Sequence, residues 1–121
     1  MRGIERLTKT DHLAGLALAA AYVALLIVTA RNLGFARDEG FYFSASTSYM
    51  QWFDLLLRDP AAAVARTGVD RFWANNAEHP PLMKVLFGAS WRLLHHTLPL
   101  FREESTTFRL PGMLSAGLVL Y

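Results

Sequence analysis

Four acidic and imidazole side chains, arranged as two adjacent pairs, carry most of the chemical potential of this 121-residue chain: Asp38-Glu39 and Glu78-His79. A carboxylate at a watery surface can act as a general base, and a second one can help hold a divalent cation. Behind the second pair, Pro80-Pro81 reads as the opening of a helix, because proline loses nothing in the first turn. The amide donors and positive dipole end at such an opening favour a phosphate. Arg71, just before Phe72-Trp73, is a further candidate contact for an anionic carrier, with a salt bridge in the loop as its competing use. His95 and His96 are adjacent, so on a helix they point about 100° apart, a poor geometry for sharing one metal. There is no cysteine, which excludes disulfides and thiolate chemistry.

For the two pairs to form one site, the elements between them must bring them together. Residues 13–30 (LAGLALAAAYVALLIVTA) carry no charge and are closed by Arg31-Asn32. As a helix they cover about 27 Å, close to the ~30 Å hydrocarbon layer, and only a helix satisfies its own backbone there. A cleaved secretory signal competes with this reading, because Val28-Thr29-Ala30 fits a small-residue cleavage site. A second apolar stretch, residues 80–98, contains Lys84 near its start, placed to snorkel outward, and Arg92 deeper, which must reach the far interface or a protein-lined cavity. From about residue 110 the chain turns apolar again and ends at Tyr121. Those twelve residues cover about 18 Å, too few to cross, so a third span cut short is expected. Crossings of opposite sense at 13–30 and 80–98 place Asp38 and Glu78 on one membrane face. The basic start of the chain (Arg2, Arg6, Lys9) points weakly to a cytoplasmic amino terminus.

Residues 31–79 form the loop between these spans. On a helix, Tyr42, Ala45, Tyr49, Trp52, Phe53 and Leu56 share one face, while Ser44, Thr47, Ser48, Gln51 and Asp54 share the other. The spacing alone fits equally a core-facing helix and one lying in the headgroup layer; proximity to the first span favours the latter. A helix end or start is expected at Asp59-Pro60, a short helix over 61–66 and a break at Thr67-Gly68. The fold class is therefore all-α, with polytopic membrane helices and amphipathic juxtamembrane helices in the first loop.

Arg37-Asp38-Glu39-Gly40, then Glu78-His79-Pro80-Pro81-Leu82, then Phe108-Arg109-Leu110-Pro111 together resemble the bacterial branch of the protein mannosyltransferase family. Its members are GT-C glycosyltransferases, related to the enzymes that transfer aminoarabinose to lipid A. The resemblance runs from the first span to Tyr121. It implies the amino-terminal part of a multi-pass enzyme of the bacterial inner membrane, with the first loop extracytoplasmic. Such an enzyme transfers a sugar with inversion from a polyprenyl-phosphate donor to a protein, lipid or glycan acceptor. By the same resemblance Asp38 is the catalytic base, with Glu39 as the supporting member of a catalytic pair. Glu78 is a ligand to a possible divalent metal of unknown identity. His79 stands where the aminoarabinose branch has a lysine on the donor phosphate, and the departure leaves the sugar open. Arg71 joins His79 as a candidate donor-phosphate contact. The Arg-Leu-Pro element adds no chemistry in this reading.

Two other classes remain: a non-catalytic membrane protein using the same spans for assembly or lipid contact, and a small secreted protein behind a signal peptide. A nucleic-acid partner is not expected. The twelve basic residues give a net charge of only +2 and are interleaved with acids, so no basic stripe forms.

Overall fold

The computed structural model describes residues 7–121; the basic side chains of Arg2 and Arg6, used above for orientation, lie outside this range. The described residues form helices and links without a strand. The helices are α1 (Lys9–Ala30), α2 (Arg37–Arg58), α3 (Pro60–Val64), α4 (Arg66–Trp73), α5 (Pro81–Trp91) and α6 (Glu104–Leu120). A π-helical turn, Arg92–Thr97, continues α5 and closes with Leu98 N–H donating to the Leu93 carbonyl, five residues back.

Among the described residues α1 is the one helix long and apolar enough to cross a membrane. It is fixed at its start by a capping box between Thr8 and Asp11. Leu13, Leu16, Leu18 and Leu25 are exposed, and its buried positions are small: Ala19 and Ala30. Small residues let α6 approach closely. A Cβ on Gly117 would lie 2.6 Å from the Val23 side chain and 3.4 Å from the Ala19 carbonyl oxygen. The two helices are antiparallel: Tyr121 Oη bonds His12 Nδ1 at 2.6 Å at one end, while Ser105 and Arg109 reach the Leu33 carbonyl at the other.

The spatial order of the longer helices is α1, α6, α5, α2, with α3 and α4 folded onto α2. α5 arrives at the beginning of α6, where Ser90 Oγ donates to the Thr107 carbonyl and Trp91 Nε1 to Glu104. α5 therefore heads toward the same end of the assembly as α1. This corrects the expected geometry: the helix of opposite sense to α1 is α6, not the stretch 80–98. The physical reason is the link 98–103, six residues that turn the chain back at the end where α1 also finishes.

The start of α6 differs from expectation as well. It begins at Glu104, which leaves Pro111 inside the helix and not at its opening. Proline there removes the N–H that would bond the Thr107 carbonyl. Ser90 Oγ supplies the replacement donor at 2.7 Å, so tertiary packing lets the helix run through.

The aromatic face predicted for α2 exists, and packing against the returning chain takes up part of it. Ala45, Tyr49 and Met50 are buried, and Tyr49 stacks on Trp73 with ring centroids 4.2 Å apart. Polar atoms on both faces of α2 are used too. Ser48 Oγ donates to the Phe72 carbonyl, Tyr49 Oη to that of Asn75, and Trp52 Nε1 to that of Ala63. These donors satisfy backbone oxygens of the returning chain that would otherwise be stranded. The expected break at Thr67-Gly68 falls instead at Ala65, between α3 and α4. Gly68 lies within α4, where an added Cβ would sit 2.1 Å from the Ala62 carbonyl oxygen; close approach is what it provides.

Candidate functional site

Asp38 and Glu39 occupy the first turn of α2, where negative charge complements the helix dipole. Their fates differ. Glu39 is taken up structurally: Arg109 donates from Nε to Oε1 at 2.8 Å and from Nη2 to Oε2 at 2.6 Å, and Oε2 also accepts the Ala36 N–H. The Arg109 hydrogen bonds hold the Glu39 carboxyl below its ordinary pKa, against the opposing effect of partial burial. Arg109 also grips the Leu33 and Gly34 carbonyls, so one guanidinium ties together the end of α1, the start of α2 and α6. Both oxygens of Glu39 are thus engaged in tying these elements together. Asp38, on the other flank of that turn, is exposed and has no hydrogen-bond or ion-pair partner among the described residues.

The second pair reaches α2 along the link between α4 and α5. This link runs back down α2: Phe72 is held at Ser48, Asn75 at Ser44 and Tyr49, and His79 packs its ring against Tyr42 at 5.5 Å. Tyr42 is one helical turn from Asp38 and on the same face. Packing of the link on α2 thus brings His79 against a residue one helical turn from Asp38. Glu78 is exposed there, with Asn76 Nδ2 3.3 Å from Oε1.

Lys84 holds this link, a role the sequence did not reveal. A helical side chain leans toward its own N-terminus, and Lys84 in the first turns of α5 leans back beneath the link. Its ammonium donates to the Asn76 and His79 carbonyls and lies over the rings of Tyr42 and Tyr49. At 1% exposure it does not snorkel to water, as the sequence had suggested. Asn76 sits in the left-handed region, φ 56°, a conformation asparagine accepts more readily than most residues. A lone lysine one turn into an apolar helix was the available signal for an internal partner. Arg92 likewise finds one, pairing with Asp54 and the Met50 carbonyl of α2.

Arg71 is not brought to this rim. It projects from the last turn of α4, exposed, with its guanidinium 5.0 Å from the ring of Phe72. Phe72 is anchored at Ser48, ten residues along α2 from Asp38, which is about 15 Å. The two candidate phosphate contacts, Arg71 and His79, therefore lie at different levels of α2. The residues present also do not make up a metal centre: among the described residues no group of three or more His, Asp or Glu side chains is placed to share an ion. Glu78 alone is too small a donor set for a divalent cation. His95 and His96 lie in the π-helical turn with ring planes nearly perpendicular, His96 against Trp91.

Comparison of the chain with protein-family models, with curated proteins and with solved structures gives no match.

Proposed function

We propose that the chain is the amino-terminal part of a bacterial inner-membrane glycosyltransferase that moves a sugar, with inversion, from a polyprenyl-phosphate donor to an extracytoplasmic acceptor. One observation carries this reading: unpartnered Asp38 stands one helical turn from the point where His79 docks on Tyr42, while Glu39 is locked by Arg109. In this reaction the acceptor oxygen bonds to the anomeric carbon as the bond from that carbon to the phosphate oxygen breaks. Asp38 takes the hydroxyl proton and the polyprenyl phosphate leaves. By the resemblance His79 would meet the departing phosphate, while Glu78 would serve only as one ligand of a metal completed by other residues of the parent protein. Further cationic or metal-binding groups come from later residues of the parent protein, since this chain supplies too few, and the isolated chain is inactive.

The membrane reading rests on α1 and α6. α1 alone has the length and apolarity to cross, and exposed leucines on it (Leu13, Leu16, Leu25) and on the antiparallel α6 (Leu114, Leu118) suit lipid. α5 lies between α6 and α2, less lipid-facing than the stretch 80–98 was expected to be. Alkaline extraction separates this reading from a cleaved signal: a membrane-spanning chain stays in the membrane pellet.

The test is sugar transfer in membrane vesicles containing the natural protein and a labelled polyprenyl-phosphate sugar. Asp38→Asn should lower the transfer rate by at least about a hundredfold at unchanged protein level. Transfer at the normal rate would remove Asp38 as the base.

A further inference from the structure

The link between α4 and α5 carries Glu78 and His79 on a tight turn, in which the His79 N–H donates to the Asn76 carbonyl at 3.4 Å, long for such a bond. The helix beyond adds little. His79 precedes the Pro80 cap of α5, so its carbonyl lies outside the helical ladder, and Pro80 and Pro81 have no N–H to give. A single side chain closes both ends of the turn. The Lys84 ammonium donates to the carbonyl of Asn76, the first residue, and at 3.0 Å to that of His79, the last. Its charge strengthens both bonds over neutral ones. Among the described residues no carboxylate lies within ion-pair distance to divert it. The same ammonium lies 5.9 Å from the centre of the Tyr42 ring, against which the His79 imidazole packs at 5.5 Å. Backbone and side chain of His79 are therefore both located from one buried point.

We propose that Lys84 is a positioning residue for donor binding: through the Asn76–His79 turn it sets where the His79 imidazole meets the phosphate of the polyprenyl-linked sugar. Lys84 itself, 1% exposed, does not touch the donor. This role rests on the transferase reading above and divides the site in two. Asp38 stands on the first turn of α2, to which the Lys84 hydrogen bonds do not run, so the acceptor side is independent of Lys84. The donor side is not. A side chain on a loose turn must be ordered when its ligand binds, and that ordering weakens affinity; a turn closed in advance avoids it.

The full natural protein is reconstituted in phosphatidylcholine nanodiscs, and binding of radiolabelled polyprenyl monophosphate, the leaving group whatever the sugar, is titrated to give both Kd and the number of sites. Lys84→Met should raise Kd about threefold to tenfold, the cost of ordering one side chain. Protein lost to misfolding lowers the number of sites and leaves the Kd of the rest unchanged, so a merely structural role does not move this readout. Polyprenol, which lacks the phosphate, should bind variant and parent alike. In a His79→Ala background Lys84→Met should add less than about twofold, because the lysine acts through that imidazole. A parent that binds polyprenyl monophosphate no better than polyprenol overturns the transferase reading and this role with it. A parent that binds the phosphate, beside a Lys84→Met protein of equal Kd, overturns the role of Lys84 alone. So does an equal loss with and without His79, or an equal loss for polyprenol.

Discussion

Removing the Arg109 guanidinium should loosen the joint on which Asp38 stands, and the structure gives the size of the effect. Two charge-assisted hydrogen bonds link Arg109 to Glu39, with the side chains 16% and 33% exposed, respectively. A close ion pair at an effective dielectric of about 20 is worth roughly 4 kcal/mol. Solvent access to the Glu39 side reduces that to about 2 kcal/mol. The Leu33 and Gly34 carbonyls lose a donor as well, at about 1 kcal/mol each. Arg109→Gln should therefore destabilise the protein by about 3–4 kcal/mol and Glu39→Gln by about 2 kcal/mol. The double variant should cost about 2 kcal/mol less than the sum, because the shared bonds are lost once. Equilibrium unfolding in detergent micelles, followed by the fluorescence of Trp52, Trp73 and Trp91, measures all three. The pair also sets a pH dependence. The Glu39 carboxyl titrates below its ordinary value of 4.5 when folded, so its contribution is complete above that value. The contribution fades as pH falls through the lowered folded pKa, and Glu39→Gln should flatten stability in that acidic window. A coupling below about 0.5 kcal/mol, or an unchanged acid limb in Glu39→Gln, would refute the clamp.

Ser90→Ala strands the Thr107 carbonyl that Pro111 leaves open, and should cost about 1 kcal/mol by the same unfolding assay. Adding Pro111→Ala returns a backbone donor to that carbonyl, so the double variant should recover most of the loss. Lys84→Met exchanges the buried ammonium for an apolar chain of similar length and leaves the Asn76 and His79 carbonyls without their donor. Amide exchange over 74–80 should rise at least tenfold relative to that over α1, whereas equal protection in both variant and parent would show that the lysine does not hold the link.

How much of this was legible in the residues divides along physical lines. The α1 helix was, because residues 13–30 form one long uncharged, apolar run that holds no proline and is closed by Arg31-Asn32. The aromatic face of α2 was also legible, since helical spacing is local; its occupant was not, because period alone cannot tell lipid from protein. The all-helical class followed from the same local patterns. Glu39 and Asp38 looked alike as neighbours, and nothing in the spacing said which would be claimed by Arg109, seventy residues on.

The sequence by itself determined the apolar lengths, the amphipathic faces and the presence of two acidic pairs with proline behind the second. Tertiary structure decided the directions and the partners. A six-residue link turned α6, not α5, against α1; Ser90 allowed Pro111 inside a helix; and the ammonium of Lys84 went to two carbonyls instead of water. These outcomes share one cause. Local propensity depends on residues within a few positions, whereas each buried polar group takes whichever partner the packed chain brings to it.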